Sequence, residues 1–232
     1  MRFSYESGDQ LIDLLDNPND VRLKVTDFGH YTQKKFKSDL LNFNDGRPLS
    51  WEQEILVSKS LETIQWLSSY NVKFEPIYSR QSFFKEGKHI FWGGLTLASE
   101  NEGVGLFNQE LSAFLSLGGK IFYESPVTDL IFKDNKVRGI FLGKEKIESD
   151  AVILASGGFE ANDDLRKSFI GDDWLKAKVR GTPHNTGDGL KMALDIGAIK
   201  HGLYDGCHAT PMDLYMKNYG GLDLEPKERK NY

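Results

Sequence analysis

Apolar positions in the first 75 residues recur at helical spacing. Leu11, Ile12, Leu14 and Leu15 mark a short helix over residues 8–15 that stops near Asn17-Pro18, because a residue before proline avoids helical geometry. Tyr31-Thr32 precedes a second periodic stretch carrying Phe36, Leu40 and Leu41. A third runs from Trp51 to Tyr70, with Ile55, Leu56, Leu61, Ile64, Trp66 and Leu67 at helical intervals. Ser50 with Gln53 three residues later predicts a capping box at its start. The aromatics of these helical stretches are expected in a core rather than in a cofactor box.

From Phe74 the pattern changes. Phe83-Phe84 and Ile90-Phe91-Trp92 lead into Gly93-Gly94, and an amphipathic helix follows over about residues 104–117, with Leu106, Leu111, Phe114 and Leu115 on its apolar side. Gly118-Gly119 ends it, and residues 120–123 form a short strand. A meander is predicted next. Residues 127–132 alternate, residues 133–136 turn on Asp134 and Asn135, and residues 137–142 return, followed by 146–149. Residues 151–155 are continuously apolar, as in a strand buried on both faces, and run into Ser156-Gly157-Gly158. A polar helix over about 161–169, a loop over 180–185 and a helix over about 190–196 closed by Gly197 complete the pattern. The fold class is α/β (α+β): residues 1–75 mainly helical, 76–200 α/β, and 201–232 the start of a further element. No internal repeat or low-complexity segment is present.

A length of 232 residues allows one large domain, or one domain and part of another. The net charge is -5 and no basic tract is present, so nucleic acid is not an expected partner. Cys207 is the only cysteine, which rules out a disulfide within the chain and speaks against a cysteine zinc site; it fits a reducing, cytoplasmic setting. No apolar run reaches the length of a membrane span, and Met1–Ser7 lacks the apolar core of a signal peptide. The glycines gather in short clusters after residue 90, where bare backbone can approach a ligand closely.

Three constellations carry candidate chemistry. The first is the apolar strand ending in Ala155-Ser156-Gly157-Gly158-Phe159. Open α/β sheets bind ligands at the carboxyl ends of such strands, although a plain turn would look the same. The second is Asn185-Thr186-Gly187-Asp188-Gly189-Leu190. Small residues at a helix start leave amides free, and Asp188 could accept from a sugar-like hydroxyl; the plain alternative is that Thr186 or Asp188 caps the helix. The third is Cys207-His208-Ala209-Thr210, whose histidine could bind a carboxylate or stabilise negative charge, or be an ordinary surface residue. Gly103-Val104-Gly105 lacks the third glycine of a phosphate loop, and the histidines make no metal-ligand spacing.

Taken in order, these segments resemble the fumarate reductase/succinate dehydrogenase flavoprotein family, most closely its tricarballylate dehydrogenase-like branch. Residues 151–162 are similar to its second flavin-contacting strand and turn, residues 180–189 to a later cofactor segment, and Cys207-His208-Ala209-Thr210 to the position of an active-site histidine. The resemblance implies bound FAD and hydride transfer between the flavin and a carbon–carbon bond of a small di- or tricarboxylate. It implies backbone contact to the adenine side at Val127, close cofactor approach at Ala155 and Gly157, contacts to the ribityl or flavin region at Thr186 and Asp188, and carboxylate binding at His208. The family's Gly-x-Gly-x-x-Gly pyrophosphate turn is not found in these 232 residues, nor is its closing half with an arginine proton donor. The chain therefore reads as a central fragment, inactive alone: residues 1–200 as the central part of a FAD-binding Rossmann-like domain, residues 201–232 as the truncated beginning of a capping or substrate domain, and the FAD site as completed by a further chain segment or subunit. Two alternatives stay open: a non-catalytic remnant or binding module that has lost FAD, and a fragment of a ketosteroid dehydrogenase-like flavoenzyme.

Overall fold

The computed structural model describes residues 2–219. The chain divides into two compact units, one ending at Lys120 and the other beginning at Ile121.

The first unit surrounds its core with helices. α1 (Asp9–Ile12), α2 (Gln33–Phe43), α3 (Trp51–Ser69), α4 (Tyr78–Gln81) and α5 (Glu102–Ser116) alternate with β1 (Thr26–Asp27), β2 (Phe74–Pro76), β3 (Ser82–Lys85), β4 (Lys88–Phe91) and β5 (Leu97–Ser99). β4 lies between β1 and β3, parallel to β1 and antiparallel to β3, and β2 pairs antiparallel with β5. Thr32 caps α2 by accepting from the Lys35 amide, and Ser50 and Gln53 form the expected capping box on α3. Leu11, Val57, Phe74 and Leu97 are fully shielded from solvent. Burying each such side chain contributes about 1.5–3 kcal/mol. Two buried polar contacts tie this core together: Ser60 Oγ accepts from the Ser4 amide at 3.0 Å, and Tyr5 donates to the Phe28 carbonyl at 2.7 Å.

The expectation that the aromatics enter the core holds for Tyr31 and Phe36 and is corrected for those of α3. Val57, Ser60 and Ile64 are its buried residues, spaced as one helical stripe. Trp51 and Trp66 are 75% and 57% exposed. α3 carries apolar side chains around most of its circumference, and one core can cover only one face of a helix. Trp66 instead packs edge-on against Tyr70, with ring centroids 5.2 Å apart. Phe114 and Leu115 of α5 are exposed as well.

The second unit opens with the predicted meander. β6 (Asp129–Lys133), β7 (Lys136–Leu142) and β8 (Glu145–Glu148) form an antiparallel sheet in sequence order. Asp134 and Asn135 both take positive φ, 51° and 61°, as a two-residue hairpin turn matched to strand twist requires. α6 (Asp163–Phe169) and α7 (Asp188–Asp195) follow, and α7 packs on β6. Two predicted strands do not form. Residues 120–123 and 151–155 have no ladder partner among the described residues, and Ile153 is 90% exposed. An apolar run has strand propensity, but only a neighbour's amides and carbonyls turn it into a strand. Among the described residues no helix is long and apolar enough to cross a membrane.

Candidate functional site

Two segments of the second unit, 156–162 and 184–189, are stitched side by side. The Gly187 amide donates to the Gly158 carbonyl at 3.1 Å, and the Ala161 amide donates to the Asn185 carbonyl at 2.9 Å. Two asparagine side chains add to this. Asn162 Nδ2 donates to the Thr186 carbonyl at 2.9 Å, and Asn185 Nδ2 donates to Glu160 at 2.5 Å. The same Asn162 uses its Oδ1 to cap α6 through the Leu165 amide. One residue therefore starts a helix and holds the neighbouring loop.

The closeness of the two segments depends on glycine. Gly157 has φ 77°, and a Cβ there would overlap the Asn185 side chain. Gly189, in the first turn of α7, leaves no room for a Cβ beside Ser156 Oγ.

α7 begins without a side-chain cap. Its N-cap is Gly187, and its first backbone bond runs from the Lys191 amide to the Gly187 carbonyl. The amides of Asp188, Gly189 and Leu190 have no intrahelical acceptor. The cap role open to Thr186 and Asp188 is not taken. Thr186 Oγ1 donates to Asp188 Oδ2 at 2.7 Å instead. The mouth thus offers backbone donors, the positive end of a helix dipole and one carboxylate acceptor.

The sequence-derived residues fall in three places. Gly157, Thr186 and Asp188 belong to the stitched pair, and Ala155 lies exposed two residues before Gly157 on the unpaired segment. Val127 is half-buried just ahead of β6, where Thr128 bonds the Phe141 carbonyl. His208 is exposed in the segment after α7. Among the described residues no hydrogen bond ties Val127 or His208 to the stitched pair.

The structure adds residues whose roles sequence reasoning missed. Asn162, Asn185 and Glu160 supply the stitching. Arg166 of α6 is buried, with Nη1 donating to the Trp174 and Ala177 carbonyls at 2.9 and 3.1 Å, and it pairs with Asp163. Its hold on residues 174–177 fixes the approach to the 180–185 loop. An arginine on a polar helix gives no sequence signal of this kind.

Residues 17–219 match the family described as FAD binding domain. The chain belongs to this family. FAD is accordingly its cofactor. The NADH:acrylate oxidoreductase of Vibrio harveyi is 29% identical over 157 residues, covering 62% of this chain and 15% of that protein. The 3-oxosteroid 1-dehydrogenase of Mycolicibacterium smegmatis is 33% identical over 95 residues, covering 35% of this chain and 16% of that protein. The chain therefore spans less than a fifth of the length of either relative. In fold it is similar to the open conformation of a flavocytochrome c3 fumarate reductase, with TM-score 0.58 and 19% identity over 86% of this chain and 33% of that one.

The stitched pair fits part of such a cofactor. Free amides beside one carboxylate suit a polyol or ring edge that both accepts and donates. They suit a pyrophosphate poorly, because Asp188 would oppose a second anion at the same helix start.

Proposed function

We propose that this chain forms the flavin- and ribityl-facing part of an FAD-dependent oxidoreductase acting on a carbon–carbon bond beside a carboxylate, in the small di- or tricarboxylate class. The observation that carries the reading is the glycine-dependent stitching of 156–162 to 184–189, within a chain whose residues 17–219 match an FAD-binding family. The relative named for acrylate, an unsaturated carboxylate, supports the substrate chemistry.

In this reading FAD supplies a two-electron hydride donor and acceptor when bound. The protein's own groups position it. Asp188 accepts a hydrogen bond from a polyol hydroxyl, the first-turn amides of α7 donate to polyol oxygens, and Gly157 lets backbone approach without a side chain intervening. Ala155 provides close backbone on the same side, and Val127 faces the adenine end. His208 donates a hydrogen bond to the substrate carboxylate. A tricarballylate-type substrate is the favoured member of the class.

A second reading, a dehydrogenase acting on a 3-oxosteroid, is favoured by the 33% identity to such an enzyme. Assay of the FAD-loaded full chain with a reduced dye separates them. Reoxidation of the dye by acrylate, fumarate or an unsaturated tricarboxylate, and not by a 3-oxo-1-ene steroid, is expected. Turnover of the steroid alone would overturn the carboxylate reading, and a protein that retains no yellow flavin after exposure to FAD would overturn the flavoenzyme reading.

A further inference from the structure

The segment carrying His208 is anchored at both ends. Upstream, Tyr204 packs into an aromatic cluster of the second unit. Its ring lies parallel to that of Phe159 within 8°, with centroids 6.5 Å apart, and 5.1 Å from that of Phe169. Phe159 and Phe169 themselves pack at 5.2 Å, and Lys200 Nζ sits 4.3 Å from the Phe169 ring centre. Phe159 follows Gly158 directly, so the stack ties Tyr204 to the stitched turn itself.

Downstream, Lys178 Nζ donates to the Leu214 carbonyl at 2.5 Å and also to the Met216 carbonyl. The Val179 amide donates to Asn218 Oδ1 at 2.7 Å, and the Tyr219 amide donates back to the Val179 carbonyl at 2.6 Å. Asp213 closes the turn these carbonyls belong to, its Oδ1 accepting from the Tyr215 amide at 2.7 Å. Between the anchors, residues 205–212 hold no regular structure, and His208 is exposed midway along them.

We propose that Tyr204 and Lys178 are positioning residues that suspend the 205–212 loop, and with it His208, beside the Ser156-Gly157-Gly158-Phe159 turn for capture of a substrate carboxylate. This rests on the carboxylate reading of His208 given above. The reach is set by the chain. His208 lies four residues from Tyr204, and four extended residues span at most about 14 Å. A loop fixed only at one end would sample a far larger volume, and holding it at both ends removes that freedom before substrate arrives.

The loop contains a built-in reporter, because Cys207 is the only cysteine of the chain and is exposed. A nitroxide label on Cys207 of the full chain reads loop mobility by its resonance lineshape. Restricted motion is expected in the unsubstituted chain and in Tyr204→Phe, which keeps the ring. Faster motion is expected in Tyr204→Ala and Lys178→Met. In unlabelled, FAD-loaded protein, the same two variants raise KM for the carboxylate substrate about ten-fold, with flavin absorbance retained. Lineshapes unchanged by both substitutions would overturn the proposal. So would a mobile loop with an unchanged KM, provided that His208→Ala raises KM; in that case the carboxylate reading survives. If His208→Ala leaves KM unchanged, the carboxylate reading itself has failed and the proposal falls with it.

Discussion

The Gly187 amide and the Gly158 carbonyl, 3.1 Å apart, join the turn after the apolar 151–155 segment to the start of α7. Neither residue contributes a functional side chain. Their backbone bond places a glycine turn and an uncapped helix start next to each other, and the candidate FAD contacts follow from that placement.

Gly157→Ala tests how tightly the two segments must approach. The new methyl group would meet Asn185, and a non-glycine residue at φ 77° is strained. A stability loss of about 1–3 kcal/mol is expected in denaturant unfolding of the second unit. FAD affinity measured by flavin fluorescence should fall with it.

Asp188 should act as an acceptor more than as a charge. Asp188→Asn keeps an acceptor for a polyol hydroxyl and for Thr186, so its FAD affinity should stay within a few-fold. Asp188→Ala removes the acceptor and should weaken binding about ten-fold or more. Fluorescence titration of both variants checks the ordering, and equal losses would point to charge instead.

Arg166 is expected to be a structural keystone of the second unit. Arg166→Met fills the space but leaves the Trp174 and Ala177 carbonyls without their donor. A loss of about 3 kcal/mol is expected from the denaturant midpoint. Asp163→Asn should cost far less, since the Asp163 carboxylate is 75% exposed.

Much of this was legible in the chain, and the failures have a common cause. Capping residues act locally, so Ser50 and Gln53 announced their helix, and Asp134-Asn135 announced its turn. The strands predicted at 120–123 and 151–155 needed a second segment to pair with, and local pattern cannot supply one. Trp51 and Trp66 failed for a related reason: hydrophobicity says that a side chain favours burial, not which face of α3 meets the core. At the candidate site, Gly157 and Asp188 stood out as residue types. The stitching by Asn162 and Asn185 did not, because an asparagine's partner is a tertiary fact.

In the first unit, burial first of all pushes the Tyr5 hydroxyl up from 10.0 to about 12. A group whose folded pKa is raised contributes stability that is complete below its unfolded value and lost as pH climbs to the folded one. Stability should therefore fall between pH 10 and about 12, by on the order of 2 kcal/mol from this group. Tyr5→Phe should be less stable at neutral pH, because the Phe28 carbonyl loses its donor, and should lack this part of the alkaline slope. Denaturant unfolding across that pH range checks both.

The most direct measurement is amide hydrogen exchange of the full chain with and without excess FAD, resolved by peptide. Excess ligand populates the bound state even at modest affinity. The account predicts slowed exchange in the peptides covering 156–160 and 186–190, including the free first-turn amides of α7, with the meander of β6, β7 and β8 little changed. Unchanged exchange in both segments at saturating FAD, or protection confined to the first unit, would contradict it.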